Sequence, residues 1–569
     1  MLSRAKAPRD TVDAQNRAER PVQPEYQPTL PEVIRIFCDQ HAAREFLVSA
    51  DERLTFEQVE KQSSELARGL LAAGLGKGSR VAILMPNCPD WVVSFFAAGR
   101  MGAFVIPVST LFQPPEIAWL LKHADIETLL VASHHAEVDL LHRVLLAIPG
   151  LEGQSADRLR TESHPYLRRI VVWPSPENRN DPLPSWASRG PRDILANSAE
   201  VSLDILGAIE SSIMPSDLLI GICTSGTATA PKLVMHTHGS TIRANHMFRA
   251  NRALAADERD LSVMPMFWIG GLNTNLFPCL FEGACLVFPR SPRMNDLLAT
   301  IRTERITRVR FSLGQRLSLM EKARRSGANL GGIKGLEDPR DGDGRVIPAD
   351  RRPGALLGMT ETFGPHGGQF SNSTCPAIPA RSNGRSIEGI ERRIVDPKTR
   401  SELPAGDVGE LEVRGFTLME GYYKRERREV FTPDGWYATG DLCRIDDGGY
   451  VFFQSRLNEM IKTAGANVAP AEVEAVLSRM SGVAEALVFG VPDSVRGEAV
   501  AAVVTVKTGE MLDIETLRTE LRAQISSYKV PSEIFILEDG QIPRSASGKA
   551  RKVVLKERIA ELREGRFGK

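Results

Sequence analysis

Between about residues 55 and 290 the apolar residues alternate between helical and strand spacing, and no other feature restricts the fold as strongly. Val59, Ser63, Leu66, Leu70 and Ala73 recur at helical intervals until Gly74-Leu75-Gly76 ends the run. Val81 to Met85 follows as a short apolar strand. Glu116 to His123 then reads as a helix and Leu129-Leu130-Val131 as a strand. This rhythm predicts an α/β fold with a mostly parallel sheet. Trp91 to Val108 is the strongest membrane candidate, but Arg100 and glycine or proline breaks interrupt it. A buried helix followed by a strand is predicted there. Residues 150–215, richer in Pro, Ser, Asn and charge, read as a long irregular excursion.

The texture changes twice further on. Short strands at Leu411 to Arg414 and Tyr450 to Phe453 predict a β-rich subdomain. After Arg456, Val473, Val476, Leu477 and Met480 form a helical stripe, and Ala499 to Val506 reads as a strand. Leu517, Leu521 and Ile525 are spaced for another helix, and Ile534 to Leu537 for a further strand. The expected architecture is therefore a large N-terminal α/β domain over residues 28–457, with a β-rich subdomain. A small mobile α+β domain over 458–569 follows it. Residues 1–27 are polar and predict a disordered tail.

Lys+Arg and Asp+Glu both number 71, so the formal net charge is zero. That balance excludes a global attraction to nucleic acid or anionic membrane. The seven cysteines are scattered and lack metal-ligand spacing, which predicts a reducing, cytoplasmic setting. The first 27 residues hold no apolar core for a signal peptide, and Gly565 to Lys569 is not a peroxisomal address.

Residues 223–234 carry the first chemical signal. The apolar run Leu218 to Cys223 breaks into small hydroxyl residues around Gly226 and ends in Pro231-Lys232. Such a loop offers backbone N–H groups, hydroxyls and one cation to a polyphosphate. It lacks the Gly-x4-Gly-Lys-Ser/Thr spacing of the common phosphate loop, and an ordinary polar turn would look similar. Four later segments add polar groups beyond what packing needs. They are Leu357-Gly358-Met359-Thr360-Glu361-Thr362, Trp436-Tyr437-Ala438-Thr439-Gly440-Asp441-Leu442, Arg456 at the domain junction, and Pro543-Arg544-Ser545-Ala546-Ser547-Gly548-Lys549.

In order and spacing these segments resemble the acyl-adenylate-forming (AMP-binding) superfamily of acyl-CoA synthetases, adenylation domains and luciferase-like enzymes. The resemblance runs from about residue 28 to the end, with support from Pro265 to Gly271, Gly409 to Gly415, Gly490-Val491-Pro492-Asp493 and Tyr528-Lys529-Val530-Pro531. It implies two half-reactions. A carboxylate attacks the α-phosphate of ATP, giving acyl-AMP and pyrophosphate; the thiol of CoA then attacks the acyl carbon and releases AMP. It further implies that Thr224, Ser225, Gly226, Thr227 and Lys232 hold the β- and γ-phosphates. Thr360 would contact the α-phosphate, and Glu361 would coordinate Mg²⁺. Asp441 and Arg456 would hold the ribose, with Leu357 beside adenine. Lys549 would bridge the carboxylate and the α-phosphate as charge develops. Asn458 would be the hinge, and Ala464-Gly465 would line the CoA tunnel.

The acyl pocket is less legible. Trp268 either walls or gates it or is an ordinary aromatic core residue. Gly270 lies in the same segment. His366, in Pro365-His366-Gly367-Gly368, either lines the substrate mouth or sits in a plain loop. His236 and His238 read as bracing residues. The implied reaction is that of an acid:CoA ligase for a hydrophobic carboxylate, fatty or aryl. Two alternatives stay open: loading of a separate acyl-carrier protein, and a degenerate nucleotide-binding relative with weak catalysis. A homodimer is likewise left open.

The chain departs from the family pattern at several positions. Ala228, Thr229 and Leu233 replace a usual hydroxyl and two usual glycines of the phosphate loop, Leu357 a usual tyrosine, and Asn458 a usual Asp or Lys. Between Arg310 and Leu357 the segment is short, and residues 337–353 read as loop.

Overall fold

The computed structural model describes residues 23–175, 181–224, 231–249, 254–311, 313–336, 356–368, 379, 381–387, 389–457, 460–507, 509–544, 550 and 552–563. Ser225, Gly226, Thr227, Asn458, Lys549 and the segment 337–353 lie outside the described residues.

An eight-stranded sheet organises the first half of the chain. Its central strands Leu218–Thr224, Phe104–Pro107, Arg80–Leu84, Thr128–Ala132, Arg169–Trp173 and Ser188–Arg189 run parallel in that spatial order. Helices connect several of these strands. Phe56–Ala72 starts on a capping box, Thr55 and Gln58 each satisfying the other's backbone N–H. Its apolar stripe is buried, as the spacing predicts.

Trp91 to Arg100 belongs to the helix Pro89–Arg100, which is buried along its length and followed by the strand Phe104–Pro107. Arg100 is tolerated inside because Glu60, at 2.9 Å, and Glu210 bind its guanidinium. No helix among the described residues is long and apolar enough to cross a membrane.

The segment 150–215 differs from the predicted irregular excursion. It holds the strand Arg169–Trp173, the cis Gly190-Pro191 turn and the helix Leu203–Ser211. Five apolar-rich residues among prolines and charges were enough, because pairing with Thr128–Ala132 supplied the rest.

A second sheet orders Arg259–Leu261, Cys285–Val287, Glu45–Val48 and Arg53–Thr55. The predicted β-rich part is an antiparallel sheet of Ile390–Val395, Gly409–Gly415, Tyr437–Ile445 and Val451–Arg456.

The small domain has its own sheet, built on the long antiparallel pair Val483–Asp493 and Gly497–Val506. Helices Pro470–Leu477 and Ile514–Gln524 cover one face, where Val473, Leu477, Leu517 and Leu521 are packed together. Helix Lys552–Arg563 covers the other, with Leu555 and Ile559 against Leu487 and Phe489. The first helix and the Ala499 to Val506 strand match the predicted stripe and run.

Candidate active site

The segment that carries the candidate phosphate loop is an antiparallel strand pair. Leu218–Thr224 pairs antiparallel with Lys232–Thr237, and Thr224 lies directly opposite Lys232. The edge strand Gly421–Tyr422 extends this hairpin, Tyr422 opposite Val234. That register places an aromatic ring beneath the lysine. Lys232 Nζ stands 4.5 Å from the Tyr422 ring centroid. Its ammonium is half-buried, and burial first, then Arg425, hold its pKa below the ordinary lysine value; Glu361 pulls the other way. Among the described residues no carboxylate lies within ion-pair distance of it. A half-desolvated cation that has an aromatic face but no ion-paired carboxylate among the described residues, beside a polar hairpin, suits a polyphosphate.

Tyr422 also fixes Glu361. Its hydroxyl donates to Glu361 Oε1 at 2.8 Å and lies 2.9 Å from the Tyr437 hydroxyl. Because the single Tyr422 proton goes to the carboxylate, Tyr437 donates to Tyr422. Burial holds both phenols above the ordinary tyrosine value. Glu361 is buried, and its second oxygen remains for a ligand. No group of three metal-ligating side chains exists among the described residues. A single carboxylate fits Mg²⁺ only when phosphate and water oxygens complete the shell.

Thr360 and Glu361 sit on a short turn braced from behind. His236 Nε2 donates to the Thr360 carbonyl at 2.7 Å, and its ring meets Phe363 edge-on. Burial pushes the His236 pKa down to about 4, so the ring is neutral. Phe363 follows with φ +52°, a left-handed conformation rare for a bulky residue. Gly364 continues at φ +118°, and Asn273 occupies the space a Cβ would need there while binding the Phe363 carbonyl. Leu357 is buried in the apolar cluster of the antiparallel sheet.

Asp441 and Arg456 are opposite residues on adjacent antiparallel strands. Arg456 Nε lies 2.6 Å from Asp441 Oδ1 as an ion pair, yet the N–H does not point along the contact, and neither atom has a hydrogen bond among the described residues. The charges touch while both groups keep hydrogen-bonding capacity for a third party. Burial raises the Asp441 pKa, with Arg456 and then Lys462 opposing it. Lys462 is a residue that sequence reasoning missed. It belongs to the strand Ile461–Thr463, beside the Ala464-Gly465 pair implied in the CoA tunnel, and couples electrostatically to Arg456 and Asp441.

Ala464 and Gly465 form the two-residue turn of the hairpin Ile461–Thr463 and Ala466–Val468, with φ +49° and +86°. Trp268 is half-buried at the start of helix Ile269–Gly271 and meets Tyr528 of the small domain edge-on, with centroids 6.1 Å apart. Gly270 is half-buried two residues on, and a Cβ there would press on the Met264 methyl. His366 is wholly buried rather than at an open mouth. Neither ring nitrogen has a hydrogen-bond partner among the described residues; burial holds its pKa down, and the buried Arg392 guanidinium depresses it further. Arg392 fills the space beside Gly367.

Comparison with known proteins decides the family. The profile described as AMP-binding enzyme matches residues 34–313 and 346–423, and that of the AMP-binding enzyme C-terminal domain matches 472–549. The chain belongs to the AMP-binding enzyme family. The interruption at 314–345 falls where the segment before Leu357 departs from the family pattern.

The long-chain-fatty-acid–CoA ligase FadD13 of Mycobacterium tuberculosis is 27% identical over 90% of this chain and 94% of its own. A feruloyl-CoA synthase of Amycolatopsis is 28% identical over 89% and 94%. The solved structure of o-succinylbenzoate CoA synthetase (MenE) from Bacillus subtilis, bound to a product analogue, superposes with a TM-score of 0.67. It is 20% identical and covers 92% of this chain and 98% of its own. By class this AMP-binding enzyme is an AMP-forming acid–thiol ligase.

Proposed function

We propose that this AMP-binding enzyme activates a hydrophobic carboxylic acid, fatty or aryl, as its acyl-adenylate and passes the acyl group to CoA. The observation that carries the reading is the set of unspent polar groups on one side of the large domain. Among the described residues Lys232 feels Glu361 but forms no ion pair with it, Glu361 accepts a side-chain hydrogen bond at one oxygen only, and Asp441 and Arg456 form an ion pair without a hydrogen bond. Such groups are costly to bury unless a ligand completes them.

In this reading Thr224 and Lys232, with Ser225, Gly226 and Thr227, take the β- and γ-phosphates. Thr360 faces the α-phosphate, Asp441 and Arg456 take the ribose, and Leu357 packs on adenine. Glu361 holds Mg²⁺, which when bound neutralises the phosphates. Lys549 neutralises the carboxylate and α-phosphate as they meet. The small domain then turns about Asn458, so that Ala464-Gly465 guides the thiol. Trp268 and Gly270 belong to the acyl side. The names of the relatives, a fatty acid in one and ferulate in another, support a hydrophobic acid. Free, buried cysteines support a reducing cytoplasm.

The test supplies ATP, Mg²⁺ and fatty, aryl or polar acids, with either CoA or an acyl-carrier protein. CoA thioester of a hydrophobic acid is the expected product. Thioester on the carrier alone would move the acceptor to a separate protein, and no product with either would favour a weakly catalytic nucleotide binder.

A further inference from the structure

Away from the nucleotide groups, the small domain docks on the large one through a second charge cluster. Lys529, 2% exposed, donates to Glu116 Oε1 at 2.8 Å and to Glu472 Oε1 at 2.7 Å. Ser526, fully buried, donates to Glu116 Oε2 at 2.8 Å. Glu116 belongs to helix Pro114–His123 of the large domain, where it also accepts from the Gln113 N–H. Glu472 is in the first turn of helix Pro470–Leu477 of the small domain. Next to this cluster Tyr528 meets Trp268, and Cys223, at the base of the phosphate hairpin, feels the charges of Lys529, Glu472 and Glu116.

The docked face of the small sheet is the one covered by Pro470–Leu477 and Ile514–Gln524. The helix that follows Lys549 covers the opposite face. The flanks of that lysine segment are held within the small domain, Arg544 by Glu485 and Lys552 by Glu474 and the Val488 carbonyl. In the same orientation Lys462, beside the Ala464-Gly465 turn, places its Nζ 5.2 Å from the ring centroid of Phe453, on the strand that carries Arg456, and its charge couples to Arg456 and Asp441. The edge implied in thiol delivery therefore meets the nucleotide groups while the Glu116–Lys529 pair is closed.

We propose that Glu116 is a positioning residue, an anchor on the large domain that holds the small domain in the orientation for thioester formation. It takes no part in the adenylation step. The proposal rests on the two-step acid:CoA ligase reading. In the step concerned, the thiol gives up its proton to solvent, its sulfur bonds to the acyl carbon, the bond from that carbon to the phosphate oxygen breaks, and AMP leaves with that electron pair. Glu116 acts on this step through Lys529 and Ser526. A half-buried carboxylate shared by a buried ammonium and a buried hydroxyl from the other domain is a coupling of specific orientation, since any rotation of the small domain breaks both bonds at once.

The experiment uses the full-length Glu116→Gln variant, which keeps the size and an acceptor for Gln113 but loses the charge. Two partial reactions are measured: carboxylate-dependent exchange of pyrophosphate into ATP, and thioester formation from supplied acyl-adenylate and CoA. Wild-type activity in both establishes the underlying reading separately. Thioester formation is expected to fall about tenfold, the size of one partly buried charge coupling. Exchange should stay within about twofold. Ser526→Ala, which removes only the hydroxyl, should shift the same step by a smaller factor in the same direction. Equal losses in both partial reactions, or no loss in either, with folding confirmed by an unchanged melting temperature, would overturn the proposal. If Glu116→Gln lowers the melting temperature, the split in Ser526→Ala decides in the same way.

Discussion

Two charge clusters join the large and small domains, and they differ in what they leave unused. Around Lys529 the valences are spent at every carboxylate oxygen but one: two carboxylates share one ammonium, a serine hydroxyl completes Glu116, and Glu472 Oε2 alone has no hydrogen bond among the described residues. Around Asp441 they are not. Arg456 lies against the carboxylate without a hydrogen bond, and Lys462 approaches without an ion pair to Asp441 among the described residues. Spent groups stabilise an arrangement, whereas unspent buried groups stand ready for a ligand. Changes in the first cluster should therefore move domain orientation or stability, and changes in the second should move substrate binding.

The largest effect that sharpens this division belongs to Lys549. Lys549→Ala should lower carboxylate-dependent adenylation by about 10²–10³ or more while sparing thioester formation from supplied acyl-adenylate. Normal pyrophosphate exchange by that variant would break the division at its strongest point.

Asp441→Asn comes next. It keeps the shape of the group but removes the charge, and the KM for ATP should rise by about tenfold or more, as expected for one charged hydrogen bond. Denaturant titration should show little loss, because burial opposes the charge that the substitution removes. A large stability loss with an unchanged KM would move Asp441 into the spent class.

The bracing histidines give a smaller, pH-dependent effect. His236 and His238 are neutral when folded, with pKa values pushed down to about 4 and about 3 by burial, against an ordinary value of 6.5. Below pH 6.5 the unfolded chain takes up protons that the folded chain refuses, so stability should fall as pH drops from 6.5 toward about 4. Each histidine contributes about 1.4 kcal/mol per pH unit in that window and nothing to the slope above it. Urea unfolding from pH 7.5 to 4.5 checks this, and His236→Gln should flatten the acid limb. An unchanged limb would mean that other groups carry it.

Ala464 should give the smallest change. Its φ of +49° is unfavourable for a residue with a Cβ, so Ala464→Gly should stabilise the turn by about 1 kcal/mol. A lower melting temperature for that variant would contradict the strain.

Local chemistry was legible in the sequence, and long-range pairing was not. Lys232, Glu361, Asp441 and Arg456 stand in short motifs that order and spacing made visible, and the roles proposed for them rest on the family resemblance. The alternating stripes between Val59 and Val131 matched the parallel sheet because period alone determines which face is buried. Tyr422, by contrast, meets Glu361 across 61 residues, and Lys529 meets Glu116 across 413, so no window holds both partners. Arg169–Trp173 escaped because its neighbours are prolines and charges, and its strand character came from pairing with Thr128–Ala132. His366 read as a candidate for the substrate mouth because its neighbours are glycine and proline. Burial against Arg392 is a tertiary fact that composition does not carry.

The central claim, that the unspent groups form an adenylation site, is tested most directly by exchange of labelled pyrophosphate into ATP over fatty, aryl and polar acids. The account predicts exchange that depends on a hydrophobic acid and on Lys232, and is lost in Lys549→Ala. Absence of exchange with every acid, from a folded protein supplied with Mg²⁺, would contradict it.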